Sequence, residues 1–245
     1  GIGLALTMEL AKQGNVIATV RDLSKAEGTP LKTMPNVTVV QLEAESESSI
    51  LKAASEIANL APTGIDALWN NIGVSNISKA SYSMENIGLG DLTREITINA
   101  VAPIVFTTRL LPLLEKRDTR KIVFITSLAG SMTSLAGMPA VVSMLQLKYT
   151  YSTSKTTLNS LINLLHIQLI DKNFTIVPMH PGFVLTDMTA GNPMVSQQPP
   201  NIALPPELTP MRPEQSATCM VTFVEKQTAS DKFALYDFNG KEHPW

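Results

Sequence analysis

The stretch KYTYSTSK at residues 148–155 brings two phenols close to one primary amine. A tyrosine with a pKa of about 10 is a weak proton donor and acceptor at neutral pH, and a nearby ammonium pulls it toward the working range by favouring the phenolate. On a helix Tyr151 stands four residues from Lys155 and shares its face, whereas Tyr149 stands six away and points elsewhere. Tyr151 is therefore the expected acid. Tyr149, at the edge of a helix expected to start at Tyr151, is a candidate pocket wall.

A second set of residues suits phosphate. Gly1 and Gly3 open a helix, and glycines there let backbone N–H groups approach an anion at the positive helix end. The next apolar run, NVIATV at 15–20, ends beside Arg21, at about the distance where a second-strand residue meets an adenosine ribose. An acidic residue there would hold a ribose 2′-hydroxyl. Here Val20 fills the strand end and the following guanidinium suits a 2′-phosphate, which favours NADP(H), with NAD(H) as the alternative. Asp22 could instead pair with Arg21 and make it an ordinary surface residue. Asn70–Gly73, NNIG, is either a tight turn or a backbone wall beside a ligand, and its place at the end of a strand favours the wall.

Other chemistries find little support. His166, His180 and His243 are far apart with no metal-ligand spacing, and only His180 is expected near the cofactor. No G-x-S-x-G elbow offers a hydrolase nucleophile. Cys219 is the only cysteine, so an internal disulfide is excluded, and its apolar-periodic surroundings read as core. A net charge of −2 without basic clusters argues against nucleic acid or an anionic membrane. No uninterrupted apolar run reaches the roughly 18–20 residues of a membrane span, and the start lacks a signal-peptide pattern. A cytoplasmic location is expected.

These residues need a scaffold, and the sequence has the alternation of one. Nearly continuous apolar runs at 15–20, 37–43, 65–71, 121–127 and 174–180 read as strands buried on both faces. Helical stretches at 2–13, 48–60, 90–115 and 151–171 separate them, so we expect one α/β domain over 1–245, a doubly wound parallel sheet of Rossmann type with helices on both faces. No strand precedes the first helix, so the central first strand is expected to lie about a dozen residues upstream, outside this sequence. Seven of the 16 prolines fall between 193 and 213, and a flap over a cleft is expected across 188–213.

Taken together, the motifs resemble the short-chain dehydrogenases/reductases along the whole chain. Gly1 and Gly3 look like the last glycines of the family's cofactor motif, and Asn70–Gly73 like its Asn-Asn-Ala-Gly turn, with Ile72 for alanine. Asn99 in ITINAVAP, Ser127 in VFITSLAG, and Tyr151 with Lys155 look like its catalytic group. Pro181, Gly182 and Thr186 in HPGFVLTDM look like the segment that packs on the nicotinamide. RDLSKA and the ending YDFNGKEHPW resemble fungal reductases near norsolorinic acid ketoreductase and sniffer-type carbonyl reductases.

The resemblance implies a carbonyl reductase in which Tyr151 protonates the oxygen, Ser127 binds it, Lys155 also holds the nicotinamide ribose, and Asn99 keeps a water that links the lysine to solvent. It implies cofactor contacts from Gly1, Ile2, Gly3, Arg21, Glu43, Asn71, Ile72, Gly73, Tyr151, Lys155, Pro181, Gly182, Val184 and Thr186. Two departures stand out: Glu43 where an aspartate is usual, and a long segment between Ser127 and Tyr151. That insert, residues 131–150, carries three methionines and one charge, so it should line an apolar, adaptable substrate pocket. The helix at 151–170 is apolar around most of its second half, which implies a partner. A homodimer through the 90–115 and 151–170 helices is expected.

Overall fold

The computed structural model describes residues 1–75, 85, 87–139, 148–190 and 209–245. In chain order these form α1 (Ile2–Leu10), β1 (Val16–Val20), β2 (Val37–Gln41), α2 (Glu47–Leu60), β3 (Ala67–Asn70) and α3 (Leu89–Ile96). A wide π turn (Thr97–Val101) leads into α4 (Ala102–Leu114), β4 (Lys121–Ile125) and α5 (Met132–Gly137). Then come α6 (Tyr149–Leu169), β5 (Thr175–His180), β6 (Phe183–Val184), β7 (Pro210–Met211), α7 (Pro213–Lys226), β8 (Leu235–Asp237) and β9 (Glu242–His243). Helices and parallel strands alternate as expected.

The strands form two main pieces. β1 and β2 pair in parallel, Val16 opposite Val37 through Val20 opposite Gln41. The second piece runs β3-β4-β5-β8-β9, parallel except for the last pair.

Continuous apolar strands arise because both faces are covered. In β4, Ile122 and Phe124 join a core formed with α2, α4 and α6, while Val123 and Ile125 join the opposite core against α1 and α7. Successive side chains point to opposite faces, so every position of such a strand must be apolar. Ile122, Val123 and Phe124 have no exposed surface. This two-sided packing fixes where the strand ends, and the site lies beyond those ends.

Several elements differ from expectation. The helix expected over 90–115 is broken at its middle by the wide turn holding Asn99. Residues Leu89–Leu114 include an 18-residue window apolar enough to cross a membrane by length and composition, with mean hydropathy 1.5, although half of that window is buried inside the protein. α6 begins at Tyr149 rather than Tyr151, with Lys148 as its N-cap residue. Finally, α5, α7 and the short strands β6–β9 were not foreseen; the strands, of two or three residues, are too short to show a period.

Candidate active site

The functional side chains gather at the carboxyl ends of the parallel strands, where open α/β sheets leave a crevice. β4 ends at Ile125, and Ser127 begins a tight turn, Leu128–Gly130, whose Ala129 N–H donates to the Ser127 Oγ at 3.1 Å. Gly130 passes so close to α6 that a Cβ would lie 2.7 Å from the Lys155 backbone carbonyl. That approach brings Ser127 to the face of α6 carrying Tyr151 and Lys155. The serine side chain hydrogen-bonds to Tyr151, and the Lys155 Nζ lies 5.9 Å from the centre of the Tyr151 ring.

Burial governs the charges here. It pushes the Tyr151 hydroxyl up to about 12; the hydrogen bond from Ser127 opposes this, and the Glu95 carboxylate nearby adds to it. Burial also holds the Lys155 ammonium down to about 8, and the lysine is only 3% exposed. Its Nζ donates to the Ile125 carbonyl at 2.9 Å, so the end of β4 aims the amine.

Asn99 is placed by the wide turn, a device common at functional positions in helices. Its Oδ1 accepts from the Val74 N–H at 2.7 Å, and its Nδ2 donates to the Val74 carbonyl at 2.8 Å and to the Ser154 Oγ at 2.9 Å. Both amide donors are therefore committed to holding strand-end chain against the catalytic helix. Ser154, fully buried, passes the link on by donating to the Tyr151 carbonyl at 2.7 Å. Sequence reasoning missed Ser154 and Val74. The one available signal was that Ser154, three residues after Tyr151, shares its side of the helix.

The expected cofactor residues also converge. A Cβ on Gly3 would lie 2.7 Å from the Asn71 Nδ2, one on Gly1 3.5 Å from the Thr186 methyl, and one on Gly73 3.6 Å from both the Asn99 Oδ1 and the Lys155 Nζ. These glycines line a cradle that side chains would fill, which fits a cofactor lying with its backbone-facing side against them. Gly182 has φ +84°, and a Cβ there would sit 2.9 Å from the Met211 side chain and 3.0 Å from Phe238, so only glycine fits this corner. Ser216 donates to the Pro181 carbonyl at 2.6 Å, and Val184 pairs with Met211.

Arg21 and Glu43 follow the paired ends of β1 and β2, and the Gln41 Nε2 donates to the Arg21 carbonyl at 3.1 Å. Arg21 is exposed. Asp22, the competitor weighed above, turns its Oδ1 to the Ser24 N–H and hydroxyl at 2.9 and 2.7 Å, and these bonds hold its carboxyl below the usual range. Ile2 and Ile72 are half-buried and pack on the two cores. Glu43 has its own N–H bonded to Ser49, and no contact joins it to the catalytic group among the described residues.

Of the expected substrate-side parts, the insert is described at 131–139 and 148–150, and the flap at 188–190 and 209–213. Residues 140–147 and 191–208 lie outside the described residues. The flap's two ends are joined by β6 and β7, and the Leu185 N–H donates to the Met211 carbonyl at 2.9 Å. His180 is buried at the end of β5, directly before Pro181.

Comparison with known proteins agrees with this geometry. A sequence profile described as short chain dehydrogenase matches residues 1–193. An uncharacterized oxidoreductase of Saccharomyces cerevisiae is 31% identical over 251 residues, covering 99% of this chain and 93% of the relative. One from Schizosaccharomyces pombe is 29% identical over 253 residues, covering 100% and 94%. Among solved structures, an NADPH-bound carbonyl reductase from chicken fatty liver superposes with a TM-score of 0.82 at 24% identity, covering 100% of this chain and 90% of that one. The carbonyl reductase Sniffer of D. melanogaster gives 0.81 at 21%, covering 100% and 95%. These likenesses show the fold, while the profile and the yeast relative, with the convergence of Ser127, Tyr151 and Lys155, give the conclusion: the chain belongs to the short-chain dehydrogenase/reductase family of oxidoreductases.

Proposed function

We propose that the protein reduces a ketone or aldehyde to an alcohol with NADPH, and that Tyr151 is the acid. The observation that carries this reading is the Tyr151 hydroxyl hydrogen-bonded by Ser127, beside the Lys155 ammonium, at the edge of the glycine cradle. Bound in the cradle, NADPH would supply a hydride to the carbonyl carbon. Ser127 holds the carbonyl oxygen, and Tyr151 gives that oxygen its proton as charge develops on it. Contrary to the expected lowering, burial raises the phenol to about 12, which keeps it protonated at neutral pH but makes it a weaker acid than free tyrosine; a positive nicotinamide ring beside it would bring it back toward the working range. Lys155 stabilises the phenolate left behind until it regains a proton from solvent.

Gly1, Ile2, Gly3, Asn71, Ile72 and Gly73 would hold the pyrophosphate and adenosine side, with Glu43 beside the adenine. Pro181, Gly182, Val184 and Thr186 would hold the nicotinamide side. Arg21 supports NADPH over NADH, since the engagement of Asp22 with Ser24 leaves the guanidinium facing solvent beside the ribose position. The solved relatives include NADPH- and NADP-bound proteins, in keeping with this. An apolar or aromatic carbonyl fits the methionine-rich insert.

Tyr151→Phe, assayed with a panel of aldehydes, ketones and quinones, should lose about 10²- to 10⁴-fold in kcat. Retention of most of the activity would remove Tyr151 from the mechanism. A homodimer is part of the same proposal: Leu164, Ile167 and Ile170 stand 58%, 58% and 62% exposed along α6 and its last turn, an apolar stripe that a second copy would cover. Light scattering at micromolar concentration should give twice the chain mass, and a monomer mass would refute it.

A further inference from the structure

The turn that carries Ser127 is gripped from two sides, and only one of them is the catalytic helix. On the helix side, Ser152 donates to the Ala129 carbonyl at 2.5 Å, and Thr156 and the Asn159 Nδ2 donate to the Gly130 carbonyl at 3.2 and 3.0 Å. On the other side lies the C-terminal segment after β9. The Ser131 hydroxyl, fully buried, donates to the Pro244 carbonyl at 2.5 Å while accepting the Ser134 N–H at 3.0 Å. The Thr133 N–H donates to the Trp245 carbonyl at 3.1 Å.

The Trp245 ring secures this second grip. It stacks on Phe233 at 5.4 Å between centroids, and Phe233 in turn stacks on His166 of α6 at 4.0 Å and 3°. Hydrogen bonds to backbone carbonyls hold a chain in place only as well as that chain is itself held. The ring stack connects the C-terminal segment to the last turn of the helix whose first turn bears Tyr151, so both grips refer to one element. Nothing else among the described contacts ties Ser131 and Thr133 on this side.

We propose that Pro244–Trp245 is a positioning element for Ser127: it presses the Leu128–Thr133 turn against α6 and so fixes the distance between the Ser127 and Tyr151 hydroxyls. Displacements of about 1 Å in a reacting group can cost about 10²-fold in rate, so a loosened turn would be felt in the chemical step. The inference rests on the reading of Ser127 as the residue that binds the carbonyl oxygen.

The test uses the full chain with Trp245→Ala, Trp245→Phe and Ser131→Ala. Steady-state kinetics with NADPH and a turned-over carbonyl are combined with hydrogen exchange and NADPH dissociation constants. Trp245→Ala should lower kcat about tenfold, with NADPH affinity changed less than about twofold, because the turn shifts without touching the glycine cradle. Trp245→Phe, which keeps a ring on Phe233, should recover most of the loss. Amides of 128–134 should exchange faster in Trp245→Ala while those of 151–169 do not. Ser131→Ala, which removes the hydroxyl bonded to Pro244, should reproduce the kcat loss and decides the matter if Trp245→Ala does not fold. An unchanged kcat, or a parallel fall in NADPH affinity with faster exchange throughout, would overturn the proposal. If the unmodified protein binds NADPH yet reduces nothing, the functional reading fails, and the local exchange result alone then judges the clamp.

Discussion

The two ends of the cofactor cradle are built differently. At the chemistry end, Asn99, Ser154, Lys155 and the Ser127 turn are all held by hydrogen bonds to neighbouring backbone or side chains, and Asn99, Ser154 and Lys155 are at most 3% exposed. At the adenosine end, Arg21 is exposed beyond the end of β1, and its backbone carbonyl accepts from Gln41. A reacting group must be correct to a fraction of an ångström, so its rotamers are locked before anything binds. Choosing between a hydroxyl and a phosphate needs only charge at the right edge, and a flexible guanidinium can supply that on contact. On the proposed function, the rigid end is the one where bonds would change and the open end the one where a charge would be recognised.

The largest test of this contrast is Lys155→Met. At the rigid end it should cut kcat by roughly 10²- to 10³-fold, since the phenolate loses its only nearby ammonium among the described residues. It should also raise the melting temperature at neutral pH by several degrees, because a buried ammonium disfavours the folded state. The pH dependence follows the same sign. The folded lysine titrates near 8 and the unfolded one near 10.5, so the unfolded chain binds more protons between these values and stability rises with pH across that window. In Lys155→Met that rise should vanish from melting curves recorded from pH 7.5 to 10. A melting temperature that fell instead would mean that the bond to the Ile125 carbonyl outweighs the burial.

At the open end the effect should be smaller and selective. Arg21→Ala should lower kcat/KM for NADPH about tenfold while leaving NADH within about twofold, the scale of one charge-assisted hydrogen-bonding group. Equal use of both cofactors by the unmodified protein would end the assignment. A fall with both would show that Arg21 supports the strand end rather than reading the phosphate.

The same contrast explains what could be read from the sequence. Motif residues were legible because their spacing along single elements carries the information, as with Tyr151 and Lys155 one helical turn apart. The alternating strands and helices were legible for the same reason. The residues that hold these groups were not: Val74 binds Asn99 through its backbone, Ile125 receives Lys155 through its carbonyl, and neither act needs a particular side chain. The C-terminal contact at Ser131 spans 113 residues and leaves no local pattern. The start of α6 at Tyr149 was missed because its N-cap residue, Lys148, makes no side-chain cap.

The wide turn at Thr97–Val101 has a consequence for anyone aligning or redesigning this chain. Each helical residue advances by about 100°, so one extra residue in a turn shifts the phase of everything after it. Upstream, Glu95 is buried, and downstream Phe106, Leu110 and Leu114 are buried as well, so the turn that holds the buried Asn99 joins two inward-facing sets. A change in residue number here would alter the turn that places Asn99 between two buried faces, so the segment should be kept as a unit.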